Sequence, residues 1–119
     1  MKARLLLIED EPLYQRPFQR YLEREEYQVS LFADGRDIQR ELEHGVNYDL
    51  ALIDYQIPGV PADKIMQRMR ELYPTRPIIA ISAYNYKSPH ADHLVSKLTM
   101  LEPNFFLNLI EDIETLLNS

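Results

Sequence analysis

Residues 50–59, LALIDYQIPG, place the carboxylate of Asp54 directly after four consecutive apolar residues. A short, continuous apolar run is typical of a strand that is buried on both faces of a sheet. An ionised carboxylate at the end of such a strand needs a cation, a metal ion or hydrogen bonds. The sequence therefore predicts that Asp54 has a functional role.

Apolar runs of a similar kind occur on either side of this stretch, at residues 5–8, 29–32 and 78–81, with a weaker one at 93–96. Between them, apolar residues recur at the spacing of a helix, around residues 14–22, 38–42, 62–72 and 105–117. Strands that alternate with helices predict a parallel sheet covered by helices on both faces. The expected fold class is α/β, a doubly wound sheet of five parallel strands.

Two prolines bear on the predicted helices. Pro17 falls inside the first helix, where we expect it to kink the helix or delay its start. Pro103 precedes the apolar face of the last helix and suits its first turn.

Polar side chains follow the strands at the edge where such sheets carry their functional groups, outside the carboxyl ends. Glu9, Asp10 and Glu11 follow the first run, Ser82 the fourth and Lys97 the fifth. Taken alone, an acid after a strand is equally well a helix cap, Ser82 a loop hydroxyl and Lys97 a surface charge.

Together with Asp54, these groups indicate a more specific chemistry. Carboxylate oxygens are ligands for Mg²⁺, which keeps waters and bridges to phosphoryl groups. An aspartate can act as a nucleophile and form an aspartyl phosphate, which assigns that role to Asp54. Lys97 and Ser82 would then hold the phosphoryl oxygens.

Composition narrows the remaining classes of function. The 119 residues match one ordinary domain, 1–119, and the net charge of −6 argues against a surface for nucleic acid. The absence of cysteine excludes disulfides, thiolate catalysis and thiolate metal sites. The apolar run before Glu9 is too short for a signal peptide or a membrane span. We therefore expect a cytoplasmic domain that contacts no membrane.

Four motifs in order, LLLIEDEP, LALIDYQIPG, PIIAISAY and ADHLVSK, resemble the receiver domain of two-component response regulators. The resemblance covers essentially the whole chain and implies a flavodoxin-like, chemotaxis-regulator-like (βα)5 fold. It implies that Asp54 is the phosphoacceptor, Ser82 the switch hydroxyl and Lys97 the lysine that contacts the phosphoryl group. It also implies a Mg²⁺ site made of Glu9, Asp10, Asp54 and the backbone carbonyl of Gln56.

The chain departs from the family pattern after Ser82. Lys97 follows 15 residues later, about seven fewer than receivers usually have, or nearly two helical turns. The fourth helix of the family is therefore expected to be shortened or missing. Leu94 occupies the position of the usual switch aromatic, and Leu98 replaces a proline that follows the lysine through a cis peptide. Either this bond is trans and the loop differs, or a strained cis bond is retained.

The resemblance implies that Asp54 accepts a phosphoryl group from a sensor histidine kinase or phosphotransfer protein, with Mg²⁺ bound. It leaves room for an effector domain beyond Ser119 and implies no enzyme activity beyond slow self-dephosphorylation. One alternative is a degenerate receiver that binds a partner independently of phosphorylation. Another is an aspartate-nucleophile phosphatase, which is disfavoured because Gln56 stands where such enzymes carry their general acid.

Overall fold

The computed structural model describes residues 2–84 and 87–119, and strands alternate with helices along them. The strands are β1 (Arg4–Ile8), β2 (Gln28–Phe32), β3 (Leu50–Asp54), β4 (Ile78–Ser82) and β5 (His93–Ser96). The helices are α1 (Pro12–Arg24), α2 (Gly35–His44), α3 (Ala62–Leu72) and α4 (Phe105–Leu117), with a short 3₁₀ helix at Lys97–Thr99.

The five strands form one sheet in the order β2-β1-β3-β4-β5, and every neighbouring pair is parallel. The strand order reverses between β1 and β3, so the connections from these two strands leave in opposite directions. Such a switch point opens a crevice at the carboxyl ends of the strands. The predicted doubly wound α/β fold is confirmed.

The core lies in two layers because successive side chains of a strand point to opposite faces of the sheet. Leu5 and Leu7 of β1 pack on the face that carries α1 and α4. Leu6 and Ile8 of the same strand pack on the face that carries α2 and α3. Both faces of the central strands are therefore buried, as the continuous apolar runs predict.

Of the two effects expected of Pro17, a delayed start of α1 is not observed, since the helix begins at Pro12 and continues through Pro17. Glu11 caps it, with a side-chain oxygen that accepts from the backbone N–H of Leu13 at 3.2 Å. Pro17 lacks the N–H that would pair with the carbonyl of Leu13. Leu13 is 79% exposed, so the missing backbone hydrogen bond belongs to a surface residue and not to the buried core.

The prediction for Pro103 is wrong, because α4 begins at Phe105 after the cap Asn104. Pro103 lies in a turn in which the N–H of Phe105 donates to the carbonyl of Glu102 at 3.1 Å. The fixed φ of proline suits the second position of such a turn as well as a first helical turn.

The connection between β4 and β5, residues 83–92, contains no helix among its described residues, 83, 84 and 87–92. The expectation of a shortened or missing fourth helix is confirmed for that part. Asn85 and Tyr86 of the same segment lie outside the described residues.

Arg70 of α3 ties the β4–β5 connection to the body of the domain. Its guanidinium donates to the carbonyl of His90 at 2.9 Å and pairs with the carboxylate of Asp92. Asp92 also accepts from the backbone N–H of Ile78 at 2.7 Å.

Ser88 adds a second tether to α3. Its hydroxyl donates to Asp63 at 2.8 Å. Two side chains of α3, Arg70 and Asp63, thus hold the described part of the β4–β5 connection by hydrogen bonds and an ion pair.

Candidate functional site

Two buried carboxylates meet at the switch point of the sheet. Glu9 follows β1 directly, and Asp54 is the last residue of β3, one position beyond the paired residues Ile8 and Ile53. Glu9 is 1% exposed and Asp54 is 3% exposed. The backbone N–H of Gln56 donates to Asp54 Oδ1 at 3.0 Å, which places the Gln56 backbone beside the phosphoacceptor candidate.

Asp10 completes a cluster of three acids. Single carboxylate oxygens of Glu9, Asp10 and Asp54 lie within 4.8 Å of one another, and Asp10 is exposed. When all three are ionised, they carry more negative charge than the one ammonium beside them neutralises. Hard oxygen donors with excess negative charge fit a Mg²⁺ ion that keeps part of its water shell.

The ammonium beside the acids belongs to Lys97, which follows β5. Its Nζ donates to Asp54 Oδ2 at 2.5 Å. It also lies 2.6 Å from Glu9 Oε1, with which it forms an ion pair. The Lys97 side chain is only 8% exposed, so this ion pair is shielded from water.

Burial and crowding of charge set the ionisation of the site. The pKa of Glu9 is raised to about 7, mainly by burial and also by nearby Asp54, while the contact with Lys97 partly offsets both. Burial lowers the pKa of Lys97, but its contacts with Asp54 and Glu9 outweigh that and raise the pKa above its ordinary value. The lysine therefore stays charged at neutral pH, where Glu9 titrates.

Ser82 ends β4 and is fully buried. It follows Ile81, which pairs with Asp54 across β3 and β4, so its backbone lies at the same edge of the sheet. Its hydroxyl oxygen accepts from the backbone N–H of Tyr84 at 3.0 Å. The structure thus brings the predicted site residues to one edge, while the roles assigned to them stay predictions.

The segment after Lys97 resolves the alternative left open for Leu98. No peptide bond in the described residues is cis, so the bond before Leu98 is trans. The chain turns instead into the 3₁₀ helix Lys97–Thr99, whose start is capped by Ser96 as its hydroxyl accepts from Leu98 N–H at 3.2 Å. Leu94, at the position of the usual aromatic, is half-buried and packs on the core layer of α2 and α3.

An apolar groove of about 610 Å³ lies beside Lys97. Its most exposed side chains are Leu13 at 79%, Leu98 at 78% and Leu101 at 99%. The groove is completed by Tyr14, Pro17, Met100 and Phe106.

Tyr14 is a site residue that the sequence does not reveal. Its ring centroid lies 3.9 Å from Lys97 Nζ, although its helical spacing indicates only a packing role. The available signal is its position in the first turn of the helix that follows Glu9 and Asp10, because that end of α1 faces the same crevice.

No helix within residues 2–84 and 87–119 is long and apolar enough to cross a membrane.

Curated relatives match the chain over most of its length. The transcriptional regulatory protein ResD of Bacillus subtilis (strain 168) is 35% identical over 83 residues, which are 69% of this chain and 33% of ResD. The transcriptional regulatory protein PcoR of Escherichia coli is 29% identical over 116 residues, 96% of this chain and 51% of PcoR. The chain thus spans about a third to a half of the length of these relatives.

Solved structures share the fold. The response regulator TrrA from Thermotoga maritima, in complex with Mg²⁺ and BeF, has a TM-score of 0.81 and 28% identity, covering 95% of this chain and 97% of that one. The receiver domain of sensor histidine kinase PA1611 from Pseudomonas aeruginosa PAO1 has a TM-score of 0.84 and 23% identity, with both chains fully covered. The second likeness concerns the fold alone.

The family model of the response regulator receiver domain matches residues 5–98. That stretch runs from β1 to the residue after Lys97 and so contains every predicted site residue. The switch-point crevice, the acid cluster and this match agree, and the chain belongs to the response regulator receiver domain family.

Proposed function

We propose that this receiver domain accepts a phosphoryl group on Asp54 from the phosphohistidine of a sensor histidine kinase or phosphotransfer protein, in a Mg²⁺-dependent reaction. The observation that carries the proposal is the buried carboxylate of Asp54, held by Lys97 at 2.5 Å within a cluster of three acids. A carboxylate that ends a buried strand beside an ammonium is poised both to attack phosphorus and to have its product stabilised.

In the proposed transfer, a carboxylate oxygen of Asp54 forms a bond to phosphorus while the bond between phosphorus and the histidine nitrogen breaks. The electron pair of the broken bond stays on the imidazole nitrogen, which takes up a proton from water. Lys97 and, after its hydroxyl turns, Ser82 hold oxygens of the transferred group.

Glu9, Asp10, Asp54 and the backbone carbonyl of Gln56 would hold the Mg²⁺ ion. The bound ion supplies positive charge that offsets the negative charge of the carboxylates and the phosphoryl group. The solved structure of the TrrA response regulator is described as a complex with Mg²⁺ and BeF, which supports the same group for this chain.

The apolar groove beside Lys97 supports a protein as the phosphoryl donor. Leu13, Leu98 and Leu101 expose most of their side chains next to the residues that would react. Exposed apolar patches rimmed by polar residues are typical of contact surfaces for proteins.

We propose a cytoplasmic receiver that acts with an effector domain, as its transcriptional regulatory relatives suggest. We also propose that it has no catalytic activity beyond slow self-dephosphorylation.

Mass spectrometry after incubation with acetyl phosphate and Mg²⁺ tests the proposal. We expect one added phosphoryl group in the wild-type protein, and none in Asp54→Asn or when EDTA removes the metal. Asp112→Asn, a change in an aspartate of α4 that pairs with His93 instead, serves as the matched control and should still be phosphorylated. An adduct that persists in Asp54→Asn would contradict the assignment of the phosphoacceptor.

A second candidate function is a receiver that binds its partner independently of phosphorylation. The absence of a helix in the described part of residues 83–92, together with Leu94 in place of an aromatic, favours it, because both alter the usual output surface. Failure of every phosphodonor, including a matched kinase, to modify Asp54 would support this candidate over the first.

A further inference from the structure

Within the described part of the chain, the ammonium of Lys97 contacts two carboxylates and one aromatic ring. The carboxylates are those of Asp54 at 2.5 Å and Glu9 at 2.6 Å. The ring is that of Tyr14, whose centroid lies 3.9 Å from Nζ. A cation over a ring face is attracted by the negative charge of the π-system, more strongly when water is excluded. The low exposure of Lys97, 8%, means that water is largely excluded here.

Binding of a divalent metal ion would affect the two carboxylate contacts of Lys97 but not its contact with the ring. The carboxylates of Glu9 and Asp54 belong to the acid cluster that fits a divalent ion. An oxygen that ligates such an ion shares its negative charge with it, which weakens its attraction for Lys97. The ring of Tyr14 has no oxygen in that cluster, so its contact with the ammonium does not compete with a metal ion.

We infer that Tyr14 is a positioning residue, whose ring keeps the Lys97 ammonium beside Asp54 when the two carboxylates turn to a metal ion. The expected effect on the rate of phosphoryl transfer rests on the proposed function. The contact between Tyr14 and Lys97 does not depend on it. Lysine is a flexible point charge on a four-carbon stem, so a fixed neighbour is needed to hold its direction. Without the ring, the ammonium would swing into the groove, and phosphoryl transfer to Asp54 would slow.

NMR spectroscopy of the Lys97 ε-methylene group, assigned with Lys97→Arg, tests the contact directly. A ring face at this distance shifts the methylene proton signals upfield. We expect the shift in the wild-type protein and in Tyr14→Phe, with and without Mg²⁺, and its loss in Tyr14→Leu. Tyr21→Leu is the matched control, because Tyr21 lies on the same helix but stacks on Phe106 at 4.7 Å and should leave the shift intact.

The rate of phosphorylation by acetyl phosphate gives the second readout. We expect Tyr14→Leu to slow it by about three- to tenfold, the size of one cation–π contact, and Tyr14→Phe to restore it. An unshifted methylene signal in the wild-type protein, loss of the shift on adding Mg²⁺, or failure of Tyr14→Phe to restore the rate would overturn the inference. Absence of phosphorylation in the wild-type protein with the ring shift intact would instead contradict the proposed function alone.

Discussion

At the scale of single residues, the site contains more carboxylates than the one ammonium beside them can neutralise. Glu9 and Asp54 are buried beside one ammonium, and Asp10 adds a third carboxylate from the surface. Asp54 could be predicted because its burial follows from the apolar run before it. The contact of Tyr14 with Lys97 could not, because it joins residues far apart in the chain and depends on how α1 packs beside the end of β5.

Glu9 should make the metal-free domain less stable as the pH rises. Its pKa is raised from 4.5 to about 7 by burial first and then by Asp54. The folded state thus binds a proton that the unfolded state has already released, and stability falls between about pH 4.5 and 7. The loss attributable to Glu9 is on the order of 1 to 3 kcal/mol.

Urea unfolding at several pH values in the presence of EDTA measures this effect. The wild-type protein should lose free energy of unfolding relative to Glu9→Gln over this window, because the variant has no carboxyl group to titrate there. Parallel pH profiles for the two proteins would show that Glu9 is not protonated more readily when folded.

At the scale of elements, the strands and helices could be predicted because the spacing of apolar residues determines which side chains share a buried face. The lack of a helix in the described part of the β4–β5 connection could be predicted from the 15-residue spacing between Ser82 and Lys97. What holds this connection in place could not be predicted, since the tethers from Arg70 and Asp63 are long-range and polar. The positions of Pro17 and Pro103 depended on solvent access and turn geometry, which a helical pattern does not contain.

Arg70 should be the most important tether of the β4–β5 connection. Arg70→Ala removes the bonds to His90 and Asp92, and we expect a loss of about 1 to 3 kcal/mol of unfolding free energy. Hydrogen exchange of the Ile78 amide should also become faster, because Asp92, its acceptor, loses its charged partner.

Arg68→Ala is the matched control on the same helix, since Arg68 pairs with Glu43 at the surface. It should change stability much less and leave the Ile78 amide protected. Equal effects of the two substitutions would mean that the tether from Arg70 does not hold the connection.

At the scale of the whole molecule, the acid cluster and the face that receivers usually use for output lie on different parts of the sheet. The acid cluster lies at the switch point between β1 and β3, while β5 forms an edge of the sheet next to the β4–β5 connection. Receivers usually form a face from a fourth helix, the fifth strand and the last helix. Here that face lacks a helix in its described part and carries Leu94 where a ring would turn.

We therefore predict that phosphorylation does not drive dimerisation through this face. Light scattering with and without beryllofluoride and Mg²⁺ should show no shift to a dimer that depends on it. His93 of β5 is exposed there and Asp112 of α4 is half-buried, and both can be substituted to map the contact. A dimer that forms on activation and is weakened by changes at both positions would contradict the prediction.

The β4–β5 connection, whose described residues form no helix, is also a site where a segment of different length can be inserted. Its ends are fixed by the sheet, because Ser82 pairs with Ser96 and Asp92 bonds the amide of Ile78. A change of length between these anchor points leaves the registers of β1, β3 and β4 as they are. We therefore expect that a helix grafted from another receiver between these anchor points leaves the position of Asp54 at the end of β3 unchanged.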